Sequence, residues 1–82
     1  MAAIELTLMS RSWCHLCHDM EMALAPVAEE FGATVNVVDV DADPQLESLY
    51  NELVPVLLHE GRELCHYFLD EPKVREYLSE IR

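Results

Sequence analysis

The chain has 82 residues, of which 51% are hydrophobic and only two are Gly, so its length and composition predict a single packed domain over residues 1–82. Sixteen Asp and Glu residues against five Lys and Arg give a formal net charge of -11, which disfavours nucleic acid and acidic membrane surfaces as partners. No apolar run reaches the roughly 20 residues of a membrane span and the first ten residues lack a leader pattern, so we expect a cytoplasmic protein.

The first half of the chain predicts a strand, a helix and a second strand. Alternation of apolar and polar side chains indicates a strand over residues 3–9. Apolar residues then recur at helical spacing and predict a helix over residues 14–31, which Pro26 should kink and Gly32 should end. The apolar positions are Leu16, Met20, Leu24, Val27 and Phe31. A β-branched run over residues 34–40 predicts a strand that is covered on both faces.

The second half predicts a short helix, a hairpin and a final helix. An Asp-Pro pair at residues 43–44 is an N-cap and first-turn signal for a helix that ends near residue 51. A Glu-Gly turn signal joins the apolar runs 55–59 and 62–68 into a β-hairpin, and an Asp at position 70 begins the last helix. The order β-α-β-α-β-β-α predicts an α/β fold with a four-stranded mixed sheet, whose first two strands are parallel because a helix crosses between them.

Cys14 and Cys17 form a C-x-x-C pair that follows the first strand and begins the first helix. Ligands bind at the carboxyl ends of parallel strands, and a helix N-terminus lowers a thiol pKa from about 8.5 to roughly 3.5–7.5. Cys14 is therefore the predicted nucleophile, and Cys17, three residues on, is the predicted resolving residue. The pattern predicts a thiol–disulfide oxidoreductase that acts by dithiol exchange and needs no cofactor and no metal.

The first strand, the loop through the cysteine pair and the segment Val54-Pro55-Val56-Leu57 resemble the thioredoxin superfamily, and specifically the small glutaredoxin-like proteins. The resemblance extends over nearly the whole chain and implies a thioredoxin-like fold. It also implies that the peptide bond before Pro55 is cis and faces the disulfide, and that the backbone of Val54 pairs with bound substrate.

The chain departs from that family where glutathione would bind. Glutaredoxins commonly have Gly-Gly and an acidic residue before the last helix, where this chain has Tyr67-Phe68-Leu69-Asp70. Glu47 and Glu52 lie where a basic residue would bind a glutathione carboxylate. We therefore expect a monomer that acts on a protein disulfide or a low-molecular-weight thiol, with glutathione as one open candidate.

Arg11, Trp13 and His15 are candidate substrate-binding residues beside the pair. Arg11 would stabilise a thiolate or attract an anionic group, or else be a solvated loop residue. Trp13 would form an apolar platform or pack at an edge, and a protonated His15 would favour the thiolate or be merely exposed. Cys65 is expected in the core as a small apolar side chain. The remaining histidines are expected to be ordinary polar residues: His18, His59 and His66.

Three alternatives use the same residues differently. The C-x-x-C-H at residues 14–18 also matches covalent haem attachment, although the predicted strands and the lack of any Met after residue 22 disfavour it. A zinc or iron–sulfur module would use Cys14, Cys17 and His18 with one ligand from Cys65, His66 or His59. Cys65 and His66 are adjacent in a strand and so lie on opposite faces. A non-catalytic adaptor would keep the fold and bind a partner at Val54-Pro55.

Overall fold

The computed structural model describes residues 4–81, which form a four-stranded mixed sheet and three α-helices. The elements are β1 (Ile4–Ser10), α1 (His15–Phe31), β2 (Ala33–Asp39), α2 (Pro44–Tyr50), β3 (Val56–His59), β4 (Arg62–His66) and α3 (Glu71–Ile81). The strands are arranged β2-β1-β3-β4, with β1 parallel to β2 and the other neighbours antiparallel. The predicted element order and the parallel first pair are confirmed. Within residues 4–81, no helix is both long and apolar enough to cross a membrane.

The end of α1 and the start of α2 follow capping residues that the sequence indicated, whereas α1 begins one residue later than predicted. Cys14 is the N-cap of α1, and Gly32 ends that helix in the left-handed conformation, at a φ of 68°. The Asp43 side chain accepts the Gln45 N–H at 2.9 Å and caps α2, with Pro44 at its first position. Each of these signals fixes the backbone of its own residue, so it could be recognised without knowledge of the tertiary fold.

Strand and turn positions agree with the sequence to within two residues. The first strand was expected over residues 3–9, of which residue 3 lies outside the described residues. Glu60 and Gly61 have φ values of 50° and 80°, as their two-residue turn requires. β4 ends at His66 rather than at residue 68, and a 3₁₀ turn that the sequence did not indicate covers Val40–Ala42.

The prediction that the second strand is covered on both faces is wrong. β2 lies at the edge of the sheet, and none of its residues is fully buried. Ala33 and Val35 pack against the apolar cluster that lies between the sheet and helices α1 and α3, whereas Val37 is 44% exposed. β-branched residues favour the strand conformation at an edge as well as at the centre, so the composition alone did not reveal the position in the sheet.

The two faces of the sheet carry separate apolar clusters, because successive side chains of a strand point to opposite faces. One cluster joins the sheet to α1 and α3 and includes Leu6, Leu8, Leu57, Met20, Leu24, Val27, Val74 and Leu78. The other includes Met9, Val56, Leu58, Val40 and Val54, with Leu46 and Tyr50 of α2 packed against it. Cys17 belongs to this second cluster, which therefore extends to the beginning of α1.

Met20 and Met22 offer a matched test of the core, since both lie on α1 but are 2% and 64% exposed. Met20→Ala leaves a cavity and should lower the free energy of unfolding by about 2–5 kcal/mol, whereas Met22→Ala should change it by less than about 0.5 kcal/mol. Urea denaturation followed by circular dichroism measures both values. Equal losses in the two variants would contradict the assignment of Met20 to the core.

Candidate functional site

Cys14 and Cys17 lie where the chain leaves β1 and begins α1. Their sulfur atoms are joined as a disulfide and their Cα atoms are 5.2 Å apart, within the usual range of about 4.4–6.8 Å. Cys14 is half-buried, whereas Cys17 is only 1% exposed. Of the two sulfurs, that of Cys14 is therefore the one that a partner molecule reaches.

The Cys14 sulfur takes the place of an N-cap oxygen. The Cys17 N–H donates to Sγ of Cys14 at 3.1 Å, and the His18 N–H donates to the Cys14 carbonyl at 3.1 Å. None of the residues in the first turn of α1 is acidic. In the reduced protein the same N–H group and the positive end of the helix dipole would stabilise a thiolate at Cys14.

The loop before β3 packs against the disulfide and is hydrogen-bonded to the loop before α3. Val54 packs in the same cluster as Cys17, with Cys14 against it. The Val54–Pro55 peptide bond is cis, and Pro55 is fully buried. The Tyr67 N–H donates to the Pro55 carbonyl at 2.9 Å, so the loop before α3 is joined to the loop before β3.

Arg11 joins the loop before α1 to the region around α2. Its Nη2 and Nε donate to the two carboxylate oxygens of Asp41 at 2.7 and 3.2 Å, and its Nη1 donates to the backbone and side-chain oxygens of Asn51, both at 3.1 Å. The hydrogen bond to Asp41 is the main cause that raises the pKa of Arg11. In the described part of the chain, no hydrogen bond or ion pair connects Arg11 with Cys14. The guanidinium therefore holds the loop instead of pairing with the sulfur.

Trp13 and His15 line an open depression together with Cys14 and His18. The Trp13 side chain is 102% exposed, so the interpretation that it packs at an edge is wrong. Its backbone is left-handed, at a φ of 63°, and His15 is exposed beside it. The structure thus brings both predicted residues to the accessible side of Cys14.

Residues 5–79 match a family model described as glutaredoxin-like domain (DUF836). The chain belongs to this family. A protein from Nitrosomonas europaea with a solution NMR structure is 35% identical, with a TM-score of 0.83 over 94% of this chain and 93% of that one. A protein from X. campestris with an X-ray structure is 39% identical, with a TM-score of 0.75 over 92% of this chain and 96% of that one. Thioredoxin from Fasciola hepatica is 21% identical, with a TM-score of 0.64 over 98% of this chain and 82% of that one. The thioredoxin-like fold that the resemblance implied is confirmed.

Sequence analysis missed a groove between α1 of this glutaredoxin-like domain and the loop before α3. Its lining residues are Leu16, Asp19, Met20, Ala23, Tyr67, Phe68 and Leu69. Helical spacing indicated that the α1 residues share one face, but the approach of the loop was not readable. The departure from Gly-Gly at Tyr67-Phe68 was the available signal, because it puts two aromatic side chains where the resembled family has none.

Cys65 lies in the main core cluster, as predicted, whereas Cys17 belongs to the other cluster. Burial raises the pKa of the Cys65 thiol. The neighbouring His66 is exposed, and its Nδ1 lies 2.9 Å from Glu63 Oε2. Cys65 and His66 therefore lie on opposite faces of β4. Within residues 4–81, no group of three or more His, Cys, Asp or Glu side chains is arranged to hold a metal ion, so the single-chain metal alternative finds no ligand set there.

Loss of the Arg11 contacts should loosen the two loops that they join. We expect Arg11→Met to lower the melting temperature and to speed amide hydrogen exchange around residues 51–55, because the bidentate pair with Asp41 and the bonds to Asn51 are lost. Arg62→Met is the matched control, since no ion pair is described for Arg62 within residues 4–81. Equal exchange in both variants would argue against a structural role for Arg11.

Cys65 should resist alkylation in the folded, reduced protein. Burial raises the pKa of its thiol above the ordinary value of 9.0. The rate of its alkylation by iodoacetamide should therefore be lower than in the unfolded chain, and this rate should increase only at higher pH. Cys14 should react first at pH 7. Peptide mass spectrometry over time measures both sites, and a Cys65 that reacts as fast as Cys14 would contradict its placement in the core.

Proposed function

We propose that this glutaredoxin-like domain is a thiol–disulfide oxidoreductase that acts by dithiol exchange through Cys14 and Cys17. The proposal is carried by the unequal burial of the pair at the start of α1, where Cys14 is half-buried and Cys17 is 1% exposed. An attacking sulfur must reach a disulfide in another molecule, whereas a resolving sulfur needs to reach only the attacking one. Cys14 is accordingly the nucleophile and Cys17 the resolving residue.

The cycle starts from the reduced domain, with Cys14 as a thiolate. Its sulfur attacks one sulfur of the substrate disulfide, so a Cys14–substrate bond forms while the substrate S–S bond breaks and the second substrate sulfur leaves as a thiolate. Cys17 loses its proton and attacks the Cys14 sulfur, which forms the internal disulfide and releases the first substrate sulfur. Two electrons have then passed to the substrate, and the two substrate thiolates take up protons from water. A second dithiol must reduce the domain before another cycle.

The loop before β3 gives the substrate backbone a place to lie. Within residues 4–81, the backbone hydrogen bonds described outside the helices and strands do not use Val54, and in this proposal its N–H and C=O pair with an extended substrate segment. The buried Pro55 keeps this loop beside the cluster that contains Cys17. Trp13 and His15 contact the substrate on the accessible side of Cys14, and Arg11 acts through the loop that it holds.

Cys17→Ser should trap a mixed disulfide at Cys14, because the resolving sulfur is missing, and Cys14→Ser should trap none. Cys65→Ser is the matched control and should cycle like the wild type, since its sulfur is buried in the other cluster. The variants are incubated in the reduced state with a disulfide-linked peptide, and the adducts are identified by mass spectrometry without reductant. A Cys14→Ser variant that reduces the peptide at the wild-type rate would refute the mechanism.

A further inference from the structure

The groove beside α1 shares one lining residue, Leu16, with the C-x-x-C segment, and its described lining contains neither cysteine. Leu16 lies between the two cysteines in the chain and lines the groove with Asp19 and Met20 of the same helix face. Phe68 and its neighbours in the loop before α3 form the opposite wall. Because Leu16 follows Cys14 by two residues, a substrate segment bound at Cys14 needs to extend past only this part of α1 to enter the groove.

The outer wall of the groove is aromatic and exposed, and a hydrogen bond holds its backbone at Tyr67. Phe68 is 70% exposed and Tyr67 is 37% exposed. The Tyr67 backbone is left-handed, at a φ of 64°, and its N–H is bonded to the Pro55 carbonyl at 2.9 Å. Strained non-glycine residues of this kind cluster at ligand sites, and exposed aromatic side chains are favoured anchors in interfaces. These residues are positioned to pack against an apolar side chain of a partner.

Asp19 gives the groove a negative charge. Its carboxylate is exposed, and no side-chain hydrogen bond or ion pair is described for it within residues 4–81. Arg11, the one Lys or Arg among the first 61 residues, is bound to Asp41 and Asn51 and does not offset this charge. A carboxylate without a partner in an otherwise apolar groove favours a Lys or Arg side chain.

We propose that this groove binds a segment of a substrate protein in which a Lys or Arg and an apolar residue lie beside the reactive cysteine. The inference rests on the proposed function and names its substrate class, a basic protein disulfide. Oxidised glutathione carries four carboxylates against two ammonium groups, and its net negative charge is disfavoured by Asp19 and by the net charge of -11. A second copy of the chain carries the same net charge and is disfavoured for the same reason.

Three disulfide-linked peptides of equal length test the charge preference. Each has Leu beside its cysteine, and they differ only in whether the next residue is Lys, Gln or Glu. The second-order rate constant for reduction by the pre-reduced protein should be about tenfold higher for the Lys peptide than for the Glu peptide at low salt, and the ratio should shrink as salt screens the charges. Oxidised glutathione should react more slowly than the Lys peptide.

Matched variants assign the preference to the groove. Asp19→Asn and Glu21→Gln each remove one negative charge from an exposed position on α1, but Glu21 is not among the groove residues. Asp19→Asn should lower the Lys-to-Gln rate ratio about threefold to fivefold, and Glu21→Gln should leave it near the wild-type value. Phe68→Ala should slow all three peptides about fivefold to tenfold, whereas Met22→Ala should keep the wild-type rates.

The outcomes separate this inference from the proposed function. Equal rates for the three peptides, equal effects of Asp19→Asn and Glu21→Gln, or faster reduction of oxidised glutathione than of the Lys peptide would overturn the substrate class and leave dithiol exchange standing. Sedimentation measures whether the chain forms a dimer. If it does, and if reduction of the Lys peptide slows as the dimer forms, the groove binds a second copy of the chain and the proposed substrate class is overturned as well. If the wild type reduces neither the peptides nor dithiodipyridine, a small neutral disulfide, both proposals fail.

Discussion

The bond from the Cys17 N–H to the Cys14 sulfur is the contact on which the proposed thiol chemistry of this domain depends. The first N–H groups of a helix have no partner inside the helix and need an acceptor from outside. At α1 that acceptor is a sulfur atom, which as a thiolate is a stronger acceptor than as half of a disulfide. The reactive form of Cys14 is therefore also the form that best caps its own helix. Since Arg11 is bound elsewhere, the helix terminus is the charge partner that the structure offers this thiolate.

Local sequence signals predicted the elements well because each acts within a few residues. The Asp43 cap, the Gly32 terminus and the Glu60-Gly61 turn constrain their own backbone, and all three have the expected geometry. The placement of Cys14 at the start of α1 followed from the same kind of signal. The edge position of β2 did not, because its β-branched composition indicates a strand conformation but not the number of neighbouring strands.

The surroundings of the pair were less predictable, because they depend on contacts between distant residues. Arg11 finds its partners 30 and 40 residues further along the chain, and the sequence gives no means of choosing Asp41 among sixteen acidic residues. The groove was likewise predictable only in part. Helical spacing placed Leu16 and Met20 on one face, but the wall that Phe68 forms depends on how the loop before α3 returns to α1.

Long-range charge and local charge have different consequences for a partner. The net charge of -11 attracts any cationic molecule, but at physiological salt this attraction is screened beyond about 8 Å and does not depend on orientation. Asp19 acts at contact, next to a residue that lies between the two cysteines. In the proposed complex, a cation bound there would hold the neighbouring cysteine of the substrate near Cys14, whereas a cation bound elsewhere on the surface would not. On this proposal, selection among basic partners would be decided in the groove, by one carboxylate and the aromatic wall opposite it.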